Sequence, residues 1–265
     1  MSFVHALAEI SLWVVAIALL LVLVVASEAG FRLGERHARR GGVDDRQLAS
    51  TATLIGGMLA MLAFALGLTI SFAENRYEGR RLLVVQEANT IGTAWLRARL
   101  VGGDEGHAIA ALIEDYTRVR IEYTSAGLAG PVSDLIAKTG VLQTKMWGVL
   151  TPLARRTPTP IVASLMSALN DMFDASLAQR MAFESRVPES LATMLMVGSV
   201  LALGAMGFQF GLAGTRQVTL SLLLLSMWVG AIVLIVDFNR PRLGALRVDV
   251  APLVWTLQGF GTAPK

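Results

Sequence analysis

The 265-residue chain has no cysteine and only three histidines. The first absence removes disulfides, thiolate metal sites and cysteine nucleophiles. The histidines, His5, His37 and His107, are too far apart in sequence to make a metal-ligand spacing. Charge is scarce as well: 16% of residues are charged against 54% hydrophobic, and the mean hydropathy is +0.58. That balance is too apolar for an ordinary soluble surface. No phosphate-binding glycine loop, dinucleotide fingerprint or nucleophile elbow is present, so neither a cofactor nor an enzyme activity is expected. The pairs Asp104-Glu105 and Glu114-Asp115 read as helix-start charge and a solvated face. No basic run is interleaved with aromatics, which argues against a nucleic-acid partner. Alternating strand patterns and internal repeats are missing too.

What remains is charge segregated from four long apolar runs, at 10–27, 52–73, 191–212 and 218–236. Each approaches the ~20 residues a helix needs to cross the hydrocarbon core, and each is flanked by charge. Trp13 stands near one interface of the first run. That run has no basic residue before it and no small-residue cleavage site, so it reads as a retained span rather than a signal peptide. The expected fold is an all-α integral membrane protein with four transmembrane helices, its partner the lipid bilayer. The divisions are a hairpin over 1–74, an extramembrane helical domain over 75–187, a second hairpin over 188–237 and a tail over 238–265. Residues 29–50 read as a polar loop, and 213–217 as a tight turn.

Span two does not stop at the membrane. Nothing breaks the sequence from Ala52 to Val101, where Gly102-Gly103-Asp104 intervenes. Tyr77, Val84, Ala88, Ile91, Trp95 and Ala98 recur at steps of seven, four, three, four and three, a helix seam. A helix of about 50 residues is roughly 75 Å long, so span two should continue as a stalk helix. Three further helices follow, at about 105–125, 132–154 (after Pro131) and 160–186, separated by Gly127 and by Thr157-Pro158-Thr159-Pro160. They complete a helical bundle with the stalk.

Several residues stand out as candidates. Phe64, Leu68 and Phe72 are spaced by four on one face of span two, with the hydroxyls of Thr69 and Ser71 nearby. They either form a hydrophobic constriction of a pore or pack against neighbouring helices and lipid. Arg76, Tyr77, Glu78, Arg80 and Arg81 lie where span two leaves the membrane, and Asp237, Arg240 and Arg242 where span four does. These read as interfacial anchors or as a charged vestibule that concentrates anions. Glu87 and Asn89, higher on the stalk, either bond to other helices or line a lumen. Gly207-x-x-x-Gly211 in span three is a close-packing surface, used against span four or span two or between subunits. No charged residue sits mid-span, which counts against a proton-driven transporter.

The stretch Arg76-Tyr77-Glu78-Gly79-Arg80-Arg81, with Glu87-Ala88-Asn89-Thr90-Ile91-Gly92-Thr93-Ala94, resembles the signature of the bacterial bestrophin-like membrane proteins, a family built on a domain of unknown function. Leu169-Asn170-Asp171, Arg186-Val187-Pro188 and Asp237-Phe238-Asn239-Arg240-Pro241-Arg242-Leu243-Gly244, continuing to Arg247-Val248, extend the resemblance from span one to about Leu257. The resemblance implies a homo-oligomer, pentameric as in bestrophins, in the bacterial cytoplasmic membrane. It also implies an anion-conducting channel with span two lining the pore and inorganic ions as its ligands. The alternative is a non-conducting scaffold or sensor whose helical domain binds a partner. No calcium-binding acidic cluster of the bestrophin kind is found. The resemblance further implies a cytoplasmic helical domain. Arg32, Arg36, Arg39, Arg40 and Arg46 point the other way, because the positive-inside rule places the 29–50 loop in the cytoplasm.

Overall fold

A computed structural model describes residues 11–126 and 132–262. Ile10, His5, Gly127 and Pro131 lie outside the described residues. All regular structure among the described residues is α-helical. The helices are α1 (Leu12–Gly41), α2 (Asp45–Val101), α3 (Gly103–Ser125), α4 (Val132–Arg156), α5 (Pro160–Glu184), α6 (Glu189–Leu212), α7 (Val218–Phe238) and α8 (Ala251–Thr262). Four helical stretches are long and apolar enough to cross a membrane. They are α1, α2, the Pro160–Leu212 stretch that holds α5 and α6, and α7. The protein is therefore an all-α integral membrane protein.

The chain divides into two compact units. One comprises residues 11–75 and 186–240, the other residues 76–185 and 241–262. The second unit takes in the segment after α7, which the sequence leaves as a tail.

In the membrane unit, α1 and α6 approach until their backbones touch. A Cβ on Gly30 would collide with the Gly204 carbonyl oxygen, and one on Gly207 with that of Ser27. Gly34 meets Phe208, and Gly211 meets Phe31, in the same way. The glycines thus form two facing small-residue ridges, and no larger residue fits at these positions. Gly207 and Gly211 consequently face span one, a partner absent from the sequence-based alternatives. Between α6 and α7, the Trp228 indole donates to Ser199 Oγ at 2.9 Å, and Ser199 Oγ donates to the Leu195 carbonyl at 2.6 Å. Both polar groups are buried and satisfied, as an apolar surrounding requires.

The 29–50 segment is not a loop. Helix α1 runs on to Gly41 and α2 begins at Asp45. Glu28–Arg32 and Glu35–Arg39 pair at i,i+4, both at 2.8 Å, along the polar extension of α1. Gly42 ends the helix in the left-handed region at φ 66°. The Asp44 carboxylate accepts from Gln47 N at 2.6 Å at the start of α2. Charge density makes this stretch resemble a loop, yet charged residues paired every four positions suit a helix that leaves the bilayer.

The helical unit is assembled from the later part of α2 with α3, α4, α5 and α8. Gly102 and Gly103, at φ 65° and 63°, reverse the chain between α2 and α3. The seam expected on the stalk is the core: Val84, Ala88, Ile91, Trp95 and Ala98 are buried against residues such as Ile113, Leu150, Leu165 and Leu253. Thr159 caps α5, its hydroxyl accepting from Val162 N at 3.4 Å, with Pro160 in the first turn. The C-terminal helix α8 joins the core through Leu253 and through Phe260, whose ring stacks on Trp95 at 4.7 Å.

Candidate functional site

Within the membrane unit α2 is held by one narrow seam. Ile55, Leu62, Leu66, Thr69 and Ala73 are buried at steps of seven, four, three and four. Leu59, Ala65 and Ile70 flank this seam, and most of the remaining circumference is exposed. Phe64 is 68% exposed, Leu68 45% and Phe72 58%, and Ser71 lies on the same open side. Thr69 is not among them. It is 2% exposed, and its hydroxyl donates to the Ala65 carbonyl at 2.7 Å. The physical reason is angular: one residue beyond Leu68 is about 100° around the helix. Thr53, Gly57, Ala60 and Gly67 also lie on the open face, and so do the exposed Leu54 and Met61, so small residues alternate there with large apolar ones.

In the helical unit, the open face of α2 carries Leu82, Val85, Leu96 and Leu100. Exposed Gln86, Asn89 and Thr93 share that helical face as a polar band between the two apolar groups. The opposite side of α2 carries Glu87 into the interior. There Arg120 Nε lies 2.5 Å from Glu87 Oε1, and Arg120 Nη2 lies 3.2 Å from Oε2. Arg120 also donates to the Gln179 side-chain oxygen, and Gln179 Nε2 donates to Thr124 Oγ1 at 3.1 Å. Tyr116 lies beside this group, near Ser176 and Gln143, and burial pushes its hydroxyl pKa well above the usual tyrosine value. Glu87 is therefore internal to the subunit, and Asn89 is the one of the two that faces outward. Arg120 and Gln179 are not legible in the sequence, since each lies tens of residues from its partner with no local spacing to mark it.

The arginines at the start of this unit act as clamps. Arg80 is buried, donating from Nε to the Ala182 carbonyl at 2.9 Å and from Nη2 to the Ser185 carbonyl at 2.7 Å. It thereby satisfies acceptors at the C-terminal end of α5 and complements that end's negative dipole. Arg76 donates to Ser185 Oγ at 3.2 Å, and Tyr77 donates to the Arg247 carbonyl at 3.4 Å. Glu78 and Arg81 pair at 3.2 Å on the surface. Arg242 lies 4.5 Å from the Tyr123 ring centre and 5.1 Å from that of Phe183. Arg80 and Arg242 thus converge on the last turn of α5. In the membrane unit, Asp237 and Arg240 are both buried at the end of α7 and interact electrostatically. Beside them Asn239 Oδ1 accepts from Val187 N at 3.1 Å. No cluster of metal-ligating side chains occurs among the described residues.

Four apolar spans, a helical bundle inserted between the second and third, and a second helix that serves both units define a class of multi-helix membrane proteins. The particular family follows from sequence: the bestrophin-like domain model matches residues 19–253, and the chain belongs to that family. Among solved structures it is similar to a bacterial bestrophin homologue from Klebsiella pneumoniae, with a TM-score of 0.70 at 12% identity over 96% of this chain and 100% of that one. A point variant of the Klebsiella homologue, with a tyrosine replaced by alanine, gives a TM-score of 0.69 at 13% identity, over 92% of this chain and 97% of that one. Nothing among curated proteins matches the chain in sequence.

Proposed function

We propose that the protein is one subunit of a homo-oligomeric, anion-conducting channel in the bacterial cytoplasmic membrane, with the open face of α2 lining the pore. The observation that carries this reading is the seam: a membrane helix held along one edge leaves Phe64, Leu68, Ser71 and Phe72 exposed on its open side. The mixture of Thr53, Gly57, Ala60, Gly67 and Ser71 with larger apolar side chains on this face suits close approach of neighbouring copies around an axis. Phe64, Leu68 and Phe72 would then form successive apolar rings, which gate by dewetting. The family membership and the fold shared with the Klebsiella bestrophin homologue support the same reading, and a pentamer is the assembly that resemblance implies.

The anion preference rests on the arginines beyond the span. Arg80 is committed to the end of α5, so the vestibule charge falls to the more accessible Arg76 and Arg81. The test is ion flux from liposomes holding the purified full chain. Chloride flux exceeding that of sodium and potassium is the expected result. Liposomes that stay sealed to all three ions at varied pH and voltage would replace this reading with the non-conducting scaffold.

A further inference from the structure

Among the arginines of the helical unit, Arg242 keeps buried nitrogens that find no acceptor. Three charged side chains are fully buried in it: Glu87, Arg80 and Arg120. Arg120 takes Glu87, and Arg80 takes the backbone carbonyls of Ala182 and Ser185. Arg242 is then left with rings. Its guanidinium lies against Tyr123, which also carries the Arg120 guanidinium 4.4 Å from its ring centre, and against Phe183. No carboxylate pairs with Arg242 among the described residues.

Two of its nitrogen atoms make the deficit specific. Nε and Nη2 of Arg242 are both buried, and neither finds an acceptor. These two atoms form one edge of the guanidinium, the edge whose parallel N–H bonds grip an anion side-on. The Tyr123 hydroxyl, on the ring beneath the same guanidinium, is buried and also unpartnered. Buried donors without acceptors are rare in folded proteins, and on a cationic group they cost more than on a neutral one. The cluster is short of an acceptor that also brings negative charge. A water molecule supplies the first and not the second.

We propose that the Nε–Nη2 edge of Arg242, against Tyr123 and Phe183, is a binding site for a small monovalent anion of the chloride class. All elements of this site belong to the helical unit, so it is separate from the α2 face proposed to conduct and does not depend on that reading. Arg242 as a whole is half-buried, so the guanidinium is reached from the surface of the unit while its Nε–Nη2 edge is turned inward. An anion there ties the segment after α7 to α3 and to the end of α5, and it therefore acts on the stability of the helical unit.

The test uses the full chain in detergent. Thermal unfolding is followed in sodium chloride or bromide against sodium gluconate at equal ionic strength. Halide should raise the unfolding temperature saturably, and the rise should vanish in Arg242→Gln. Crystals of the unaltered chain soaked in bromide provide a second measurement that holds even if Arg242→Gln fails to fold: an anomalous peak beside Nε and Nη2 is expected. Equal unfolding temperatures in halide and gluconate, a halide effect that survives Arg242→Gln, or a carboxylate of a neighbouring copy on that edge in place of bromide would overturn the proposal.

Discussion

Arg120 and Glu87 form a two-pronged ion pair sealed inside the helical unit, with Arg120 Nε 2.5 Å from Glu87 Oε1 and both side chains within 2% of full burial. The pair joins α2 to α3, and Gln179 extends it to α5. A buried pair adds little net stability over a well-packed apolar pair, but losing one member strands the other charge. Arg120→Leu or Glu87→Leu alone should therefore destabilise the unit by about 3–5 kcal/mol, while the double variant recovers a large part of that loss. Thermal unfolding of the detergent-solubilised chain measures it. Additive losses in the double variant would contradict the coupling.

The α1–α6 contact makes an equally specific prediction. Gly207→Ala drives a methyl into the Ser27 carbonyl oxygen, and Gly30→Ala drives one into that of Gly204. Both neighbours are backbone and cannot swing away, so each change should cost at least the ~1–3 kcal/mol of ordinary overpacking. Gly230→Ala on α7 meets nothing within 4 Å and should be tolerated. Yield and thermal stability after extraction separate the two classes.

Tyr116 sets an alkaline limit. Its hydroxyl is held neutral in the folded protein by burial, while the unfolded chain ionises near the ordinary tyrosine value of about 10. The folded pKa lies above the unfolded one, so this contribution is fully present below about pH 10 and is lost as the pH rises from there toward the folded pKa. Unfolding midpoints measured from about pH 8 to 11, a range that brackets the unfolded value, should fall at the alkaline end, less steeply in Tyr116→Phe. An identical slope in the variant would assign the loss to other groups.

These predictions rest on residues of unequal legibility. The stalk seam at Val84, Ala88, Ile91, Trp95 and Ala98 is readable because helix periodicity is local, and those positions are buried as the spacing requires. The 29–50 helix extension is hidden, because an arginine-rich stretch looks the same in a loop and in a paired helix until Glu28–Arg32 and Glu35–Arg39 are seen together. The choice of α1 as the partner of Gly207 depends on tertiary placement, since glycine spacing marks a close contact without naming its other side. Thr69 invites grouping with Phe64 and Phe72 for its hydroxyl, while the helix angle turns it to the interior. Helix α8 reads as a tail when its partner Trp95 stands far back in the sequence.

The stripe of Leu82, Val85, Leu96 and Leu100 on the helical unit should lie between subunits if the chain assembles. Native mass measurement in detergent should give a multiple of the 28.3 kDa chain, and Leu82→Glu with Leu96→Glu should lower it. A chain that stays monomeric without these changes removes the assembly from the account.

Conduction along the open face of α2 is tested most directly by thiol modification, because the chain has no cysteine of its own. Phe64→Cys and Leu66→Cys are reconstituted separately, and ion flux is recorded before and after an anionic methanethiosulfonate reagent. Flux through Phe64→Cys should fall sharply on modification, while Leu66→Cys, on the buried seam, should be unchanged. Undiminished flux through fully modified Phe64→Cys would contradict a pore lined by this face.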